Sequence, residues 1–188
     1  MQVLSVNTGR IERLVVSGGE SVVSAIRKRA RDGRVAVGAL GLEGDEQADP
    51  SVHGGLTKAV YAYPQEHYAV WATMRRQAQV DAPLQPGALG ENLTISGLLE
   101  AAAWIGDVLR FPDCELVISE PRYPCFKLNA HMGFAHAVKM MVQSGYCGFY
   151  LAVKREGTIA AGEAFELIAG PREVGIAELF RSRMRKTR

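Results

Sequence analysis

Glycine and proline cut the apolar runs of this chain so often that a helical bundle cannot form from them. Twenty glycines and eight prolines are spread over 188 residues, and few of the segments between them keep a 3.6-residue period beyond about three turns. Short alternating runs bounded by turn residues are the signature of strands, and many short strands with few helices predict a mainly β chain, an all-β barrel with a few inserted helices. At this length one domain is the default, and folding removes roughly 70% of the unfolded chain's surface from water, so the core needs no disulfide or metal staple. Three cysteines, an odd number, argue against a secreted disulfide framework.

Local patterns give the expected elements. Val3, Leu4 and Val6 lead through Asn7-Thr8-Gly9-Arg10 to Ile11, Leu14, Val15 and Val16, which reads as a hairpin. Residues 25 to 37 have helix propensity, but Asp32-Gly33 suits a type I′ turn between two alternating strands, and the hairpin is the expectation. Residues 38 to 57 hold five glycines, several acids and no period, and so form a long loop of the kind that is usually functional or disordered. Val60 to Tyr63 reads as a strand, with a helix from Pro64 to about Gln79. A strand is expected at Asn92 to Ile95, and a hairpin from Val108 to Ser119 around a Pro-Asp turn. A second helix is expected over 134 to 144, stopped by Gly145, followed by strands at Gly148 to Lys154 and Glu163 to Ile168. The barrel accounts for residues 1–170, and Ile176, Leu179, Phe180 and Met184 recur at helical spacing in a short basic C-terminal helix or tail over 171–188.

Charge and motifs exclude several functions. The last eight residues hold Arg181, Arg183, Arg185, Lys186 and Arg188 and no acid, so the first 180 carry 17 bases against 20 acids and do not form a basic nucleic-acid-binding domain. A second basic cluster lies at Arg27, Lys28, Arg29, Arg31 and Arg34. No Walker A loop, HExxH, CxxC or GxGxxG occurs, and three cysteines are too few for a four-cysteine iron-sulfur cluster. Neither a basic leader at Met1 to Thr8 nor a stretch near the ~20 apolar residues of a membrane span is present, and a reducing cytoplasm is the expected location.

The most distinctive side chain is Cys125. Pro121 and Pro124 stiffen its approach, and Arg122 and Lys127 place two cations close in sequence, a setting that favours the thiolate. A thiolate is a nucleophile and a soft metal ligand; a buried apolar cysteine is the plain alternative, and it is the expectation for Cys114 and Cys147. His53, in Val52-His53-Gly54-Gly55 with Lys58 close behind, belongs to a loop whose backbone N–H groups can turn toward an anion, or is part of a turn without a ligand. Gly90-Glu91-Asn92 offers a carboxylate and an amide before a strand. His67, His131 and His136 lack metal-ligand spacing and read as packing or surface residues.

In order, Gly41-Leu42-Glu43-Gly44-Asp45-Glu46-Gln47-Ala48-Asp49, Val52-His53-Gly54-Gly55 with Lys58, Tyr63-Pro64 with Glu66-His67-Tyr68 and Trp71, Gly90-Glu91-Asn92-Leu93, Gly106-Asp107, and Ser119 with Pro121-Arg122 and Pro124-Cys125-Phe126-Lys127-Leu128 resemble the MOSC domain, the molybdenum cofactor sulfurase C-terminal type. The resemblance is to its bacterial stand-alone branch, which reduces N-hydroxylated bases. It implies a MOSC-type β-barrel that binds the molybdenum cofactor (molybdopterin), with Cys125 as the protein ligand to molybdenum. His53, Lys58, Asn92 and Arg122 become candidate contacts to the pterin or its phosphate, His53 also the candidate proton donor, while Glu43 and Asp45 can instead hold the loop in shape. Members of the branch continue into a three-helix extension, and Ile176 to Phe180 look like the start of its first helix. The implied activity is reduction of N-hydroxy purines, pyrimidines or amidoximes, with electrons from a separate reductase. The alternative is a carrier of the cofactor, or a sulfur-delivery module, without turnover of its own.

Overall fold

The computed structural model describes residues 1–49 and 54–186. Among these, thirteen strands run in chain order: β1 (Gln2–Thr8), β2 (Glu12–Val15), β3 (Ser21–Ser24), β4 (Arg29–Ala30), β5 (Arg34–Gly38), β6 (Gly41–Leu42), β7 (Val60–Pro64), β8 (Leu93–Ser96), β9 (Val108–Arg110), β10 (Glu115–Pro121), β11 (Phe149–Arg155), β12 (Gly157–Ala160) and β13 (Glu166–Ile168). The helices are α1 (Tyr68–Gln77), α2 (Lys127–Met132), α3 (Ala137–Ser144) and α4 (Ile176–Lys186), with short 3-10 turns at Leu56–Lys58, Gln65–His67 and Glu100–Ala102.

Eight strands form one sheet in the order β13-β9-β10-β11-β7-β8-β1-β4. Every pairing in it is antiparallel except β7 with β8, which run parallel, α1 lying in the crossover between them. A parallel pair needs such a crossover because a tight turn cannot return the chain in the same direction. β12, β5 and β6 make a second sheet, and β2 with β3 a separate hairpin. The fold is sheet-dominated with a few helices, as the turn-rich sequence predicts, but the large sheet does not close on itself: β13 and β4 are its edges. One isolated bridge, Gln2 to Ala164, and backbone bonds between Val3 and residues 162 and 163 tie β1 to the segment before β13, short of a ladder.

Two expected hairpins pair differently. β1 does not fold back on β2; it pairs with β8 and β4, while β2 pairs with β3 across Gly18 and Gly19, both at positive φ. Gly9 sends the chain away at this point. A Cβ there would come within 2.7 Å of the Arg27 carbonyl oxygen, so only glycine lets the backbones pass this close. Asp32-Gly33 does turn the chain, with Gly33 at φ 74, but its flanking strands go to different sheets, β4 to β1 and β5 to β12 and β6. The β9–β10 hairpin forms as expected.

All five residues of β7 are buried, and Trp71 on α1 sits against it with its indole N–H donated to the Tyr63 hydroxyl at 2.5 Å. α4 buries Ile176 and Phe180 on the core. No described helix is long and apolar enough to cross a membrane.

Candidate functional site

Segments far apart in sequence build one cleft: residues 24–28 after β3, the loop after β6, the 3-10 turn carrying Lys58, the start of β8, and the end of β10 running into α2. Its volume is about 640 Å³, part of it open to solvent. Cys125, Arg122, Lys58 and Asn92 all line it, although Lys58 and Cys125 stand 67 positions apart in the chain. His53 lies outside the described residues. Lys28, Asp45, Tyr61, Lys127 and Tyr150 complete the functional part of the wall.

Asp45 holds the loop. Its side chain is 4% exposed; Oδ1 accepts the Gly9 N–H at 2.7 Å and the Lys28 ammonium at 2.5 Å, and Oδ2 accepts the Asn92 amide at 2.9 Å. Asn92 gives its other amide hydrogen to the Asn7 carbonyl at 3.2 Å and accepts the Tyr61 N–H at 3.0 Å. Both of its donors are therefore in use inside the protein. Asn92 lines the cleft as a bracket between β7, β1 and the loop, with no amide hydrogen left for a ligand. Glu91 is likewise internal. It accepts the Gly87 and Leu89 N–H groups, the Thr94 hydroxyl and the Tyr68 hydroxyl, and burial pushes its pKa up. That carboxylate shapes the 85–91 loop, and glycines seat it: a Cβ on Gly87 would meet the Lys28 backbone at 3.0 Å, and one on Gly90 would meet the Ile26 side chain at 2.9 Å.

Arg122 behaves differently. It is buried, its guanidinium lies 5.8 Å from the Tyr61 ring centre, and Nη1 points to Met141 Sδ at 3.5 Å. Burial works against its charge, but the Tyr61 and Tyr150 hydroxyls and the Cys125 and Cys147 thiols around it raise its pKa. Burial in turn raises the pKa of Tyr61 and Tyr150, against the pull of Arg122, so both phenols stay protonated. Lys58 stands 5.9 Å over the Tyr150 ring and 3.8 Å from a Glu120 carboxylate oxygen. Lys127 donates to the Val23 carbonyl at 3.0 Å. Cys125 is half-buried and forms no disulfide, whereas Cys114 and Cys147 are fully buried and burial raises both, Cys114 to about 12. Such thiols stay protonated and inert.

The MOSC domain family profile matches residues 49–166. The chain belongs to the MOSC domain family. This MOSC protein is 39% identical over 182 residues to YflK of Bacillus subtilis (strain 168), covering 97% of this chain and 79% of that one. It is 37% identical over 174 residues to a protein of Gibberella moniliformis (strain M3125 / FGSC 7600) named a reductase, covering 89% of this chain and 29% of that much longer one. Its fold is similar to the crystal structure of YiiM from Geobacillus stearothermophilus, with a TM-score of 0.77 and 30% identity over 98% of this chain and 84% of that one. MOSC domains are associated with molybdenum cofactor binding.

The donor set fits such a group. Among the described residues no cluster of three or more His, Cys, Asp or Glu side chains can hold a metal ion. A metal held by the Cys125 thiol together with an organic carrier needs no such cluster. A soft sulfur donor suits that metal, and the Arg122, Lys58 and Lys127 cations suit the anionic part of the carrier.

The sequence reading missed Lys28, Tyr61 and Tyr150. Lys28 read only as one of a basic cluster, and Tyr61 and Tyr150 only as residues of strands. The adjacent pairing of β11 with β7, Tyr150 opposite Tyr61, is what brings the two rings together over Arg122.

Proposed function

We propose that this MOSC protein holds the molybdenum cofactor in the cleft, with the Cys125 thiolate as the protein ligand to molybdenum, and reduces N-hydroxylated compounds with electrons from a separate donor. The observation that carries the reading is the convergence of Cys125, Arg122 and Lys58 on one cleft whose loops are held from behind by Asp45, Asn92 and Glu91. The reductase name of the Gibberella relative supports an oxidoreductase role.

When bound, the cofactor would supply a metal centre able to accept the oxygen of an N–OH group in a two-electron reduction. The residues of the chain place and stabilise it. Cys125 fixes the centre by one sulfur bond. Arg122 and Lys58 bind the anionic part of the cofactor, Arg122 as a charge that burial leaves poorly hydrated and therefore strongly attractive to an anion. The Tyr61 and Tyr150 rings exclude water from one wall. His53, which lies outside the described residues, is the proposed proton donor. The substrate class is N-hydroxy purines, pyrimidines and amidoximes.

Metal analysis of protein made in a cofactor-competent host tests the first half. Cys125→Ser is expected to lose most of its molybdenum while keeping its circular dichroism and melting point, and Cys114→Ser and Cys147→Ser to keep the metal. Equal molybdenum in the Cys125→Ser protein would end the ligand role. Retention of cofactor without turnover of any N-hydroxylated compound under a chemical reductant would instead favour a cofactor carrier or sulfur-delivery module.

A further inference from the structure

A second cavity of about 730 Å³, partly open, adjoins the cleft, and Lys28 lines both. Arg27, Arg29, Arg75 and His131 line the second cavity together with the Pro83–Ala88 loop, and among the described residues no carboxylate does. Local pairing leaves a positive excess. Arg27 and Arg29 share the single carboxylate of Glu12, at 3.4 and 3.9 Å. Arg75 gives one guanidinium nitrogen to the Ala82 carbonyl at 2.8 Å, and its buried Nε has no hydrogen-bond partner. Lys28 is balanced by Asp45. Surface arginines normally find carboxylates or water, so several cations around a concave wall without an acid are arranged for an anion. His131 records the same field. Burial first, then Arg27, Arg122 and Arg75, lower its pKa to about 4, while a bond with the Ala88 backbone opposes the shift.

We propose that this basic cavity binds a phosphate monoester, and that the substrate is an N-hydroxylated nucleotide whose base enters the cleft while its phosphate lies among Arg27, Arg29 and Arg75. The anion site stands on the cavity itself; the identity of the base rests on the reductase reading. Lys28, at the junction, would face the sugar-phosphate link.

Calorimetry and histidine-selective NMR on the full chain test it, with adenosine 5′-monophosphate, adenosine and inorganic phosphate as probes. The monophosphate is expected to bind at least about tenfold more tightly than adenosine, because a charge-assisted bond to phosphate contributes about that factor. The His131 pKa is expected to rise by about one unit when the monophosphate or inorganic phosphate binds, since an anion favours the protonated ring. Arg75→Gln and Arg29→Gln should each weaken the monophosphate by about tenfold and leave adenosine unchanged. Arg29 is 82% exposed, so its variant folds whatever the fate of the other. Equal affinity for monophosphate and nucleoside, or a His131 signal that does not move, would overturn the proposal. So would loss of the phosphate response on loading with molybdenum cofactor, which would give the cavity to the cofactor. These readouts need no turnover, so failure of the molybdenum reading and failure of the phosphate site are separately visible.

Discussion

Asp45 joins both cavities through one carboxylate, because the Lys28 ammonium it neutralises borders each of them. Removing one member of a buried ion pair strands the other charge and typically costs about 3–5 kcal/mol, whereas removing both costs far less. Asp45→Ala is therefore expected to lower unfolding free energy by about that amount, and the Asp45→Ala/Lys28→Met double variant to be destabilised by clearly less than the two singles together, a coupling of about 0.5–3 kcal/mol. Urea denaturation of the four proteins measures it; strict additivity would show that the pair is not coupled. His131 gives a pH dependence. Its folded pKa, about 4 against an ordinary 6.5, means that the folded protein binds this proton less tightly than the unfolded chain. Its contribution is complete above pH 6.5 and declines as pH falls from 6.5 toward 4, with about 3 kcal/mol lost across that window. A His131→Asn protein, with no ring to protonate, should show a flatter stability profile over that range in urea titrations. The sequence singled out Cys125, Arg122, Lys58 and Asn92, which line one cleft, because each sits in a dense local motif. It hid the actual duty of Asn92, since whether an amide faces a ligand or a neighbouring backbone depends on Asn7 and Asp45, 85 and 47 residues away.

At the scale of elements, α4 braces the segment that carries Cys125. Phe180 is fully buried and stacks on Tyr123, centroids 5.9 Å apart, and Arg183 caps the other reach of that ring at 4.4 Å. Tyr123 is two residues before Cys125. Phe180→Ala opens a cavity beneath this ring and is expected to cost about 3–5 kcal/mol, seen as a lower melting point, together with faster loss of molybdenum from the loaded protein on dialysis. A fall in stability with unchanged metal retention would confine α4 to the core. The elements themselves were partly legible. Alternation located β1, β5, β8 and β10, Asp32-Gly33 and the Pro-Asp turn located reversals, and Ile176, Leu179, Phe180 and Met184 located α4. Pairing was not legible where it joins distant strands, as in β1 with β8, because local pattern carries no information about a partner about 90 residues on. α2 escaped because six residues after Pro124 with no side-chain cap offer no period to detect. The second helix was placed at 134 and begins at Ala137, because Gly133 takes the left-handed conformation that ends α2 and residues 134–136 form the bend.

The whole molecule places its acids and bases unevenly: the basic segment of residues 27–29 lines the two cavities, and α4 carries Arg181, Arg183, Arg185 and Lys186 at the other end of the chain. Neither region offers the glycine-rich turn before a helix that binds a dinucleotide, and the sequence contains no GxGxxG, no Walker A loop and only three cysteines. Reduction of N–OH to N–H with release of water consumes two electrons and two protons per turnover. Under the reductase reading the electrons must come from another molecule. Molybdenum-loaded protein given nicotinamide alone is therefore expected to convert no N-hydroxylated purine, pyrimidine or amidoxime. The same protein given reduced viologen, or a flavoprotein reductase with nicotinamide, is expected to convert at least one of them. A small chemical donor needs no docking surface, so the viologen arm tests the chemistry of the cleft and the flavoprotein arm tests recognition by a partner. Chromatographic detection of the amine product, with the Cys125→Ser protein as the blank, reads both arms. Turnover with nicotinamide alone would mean that this chain binds that cofactor itself. No product under viologen would leave the cleft as a carrier site.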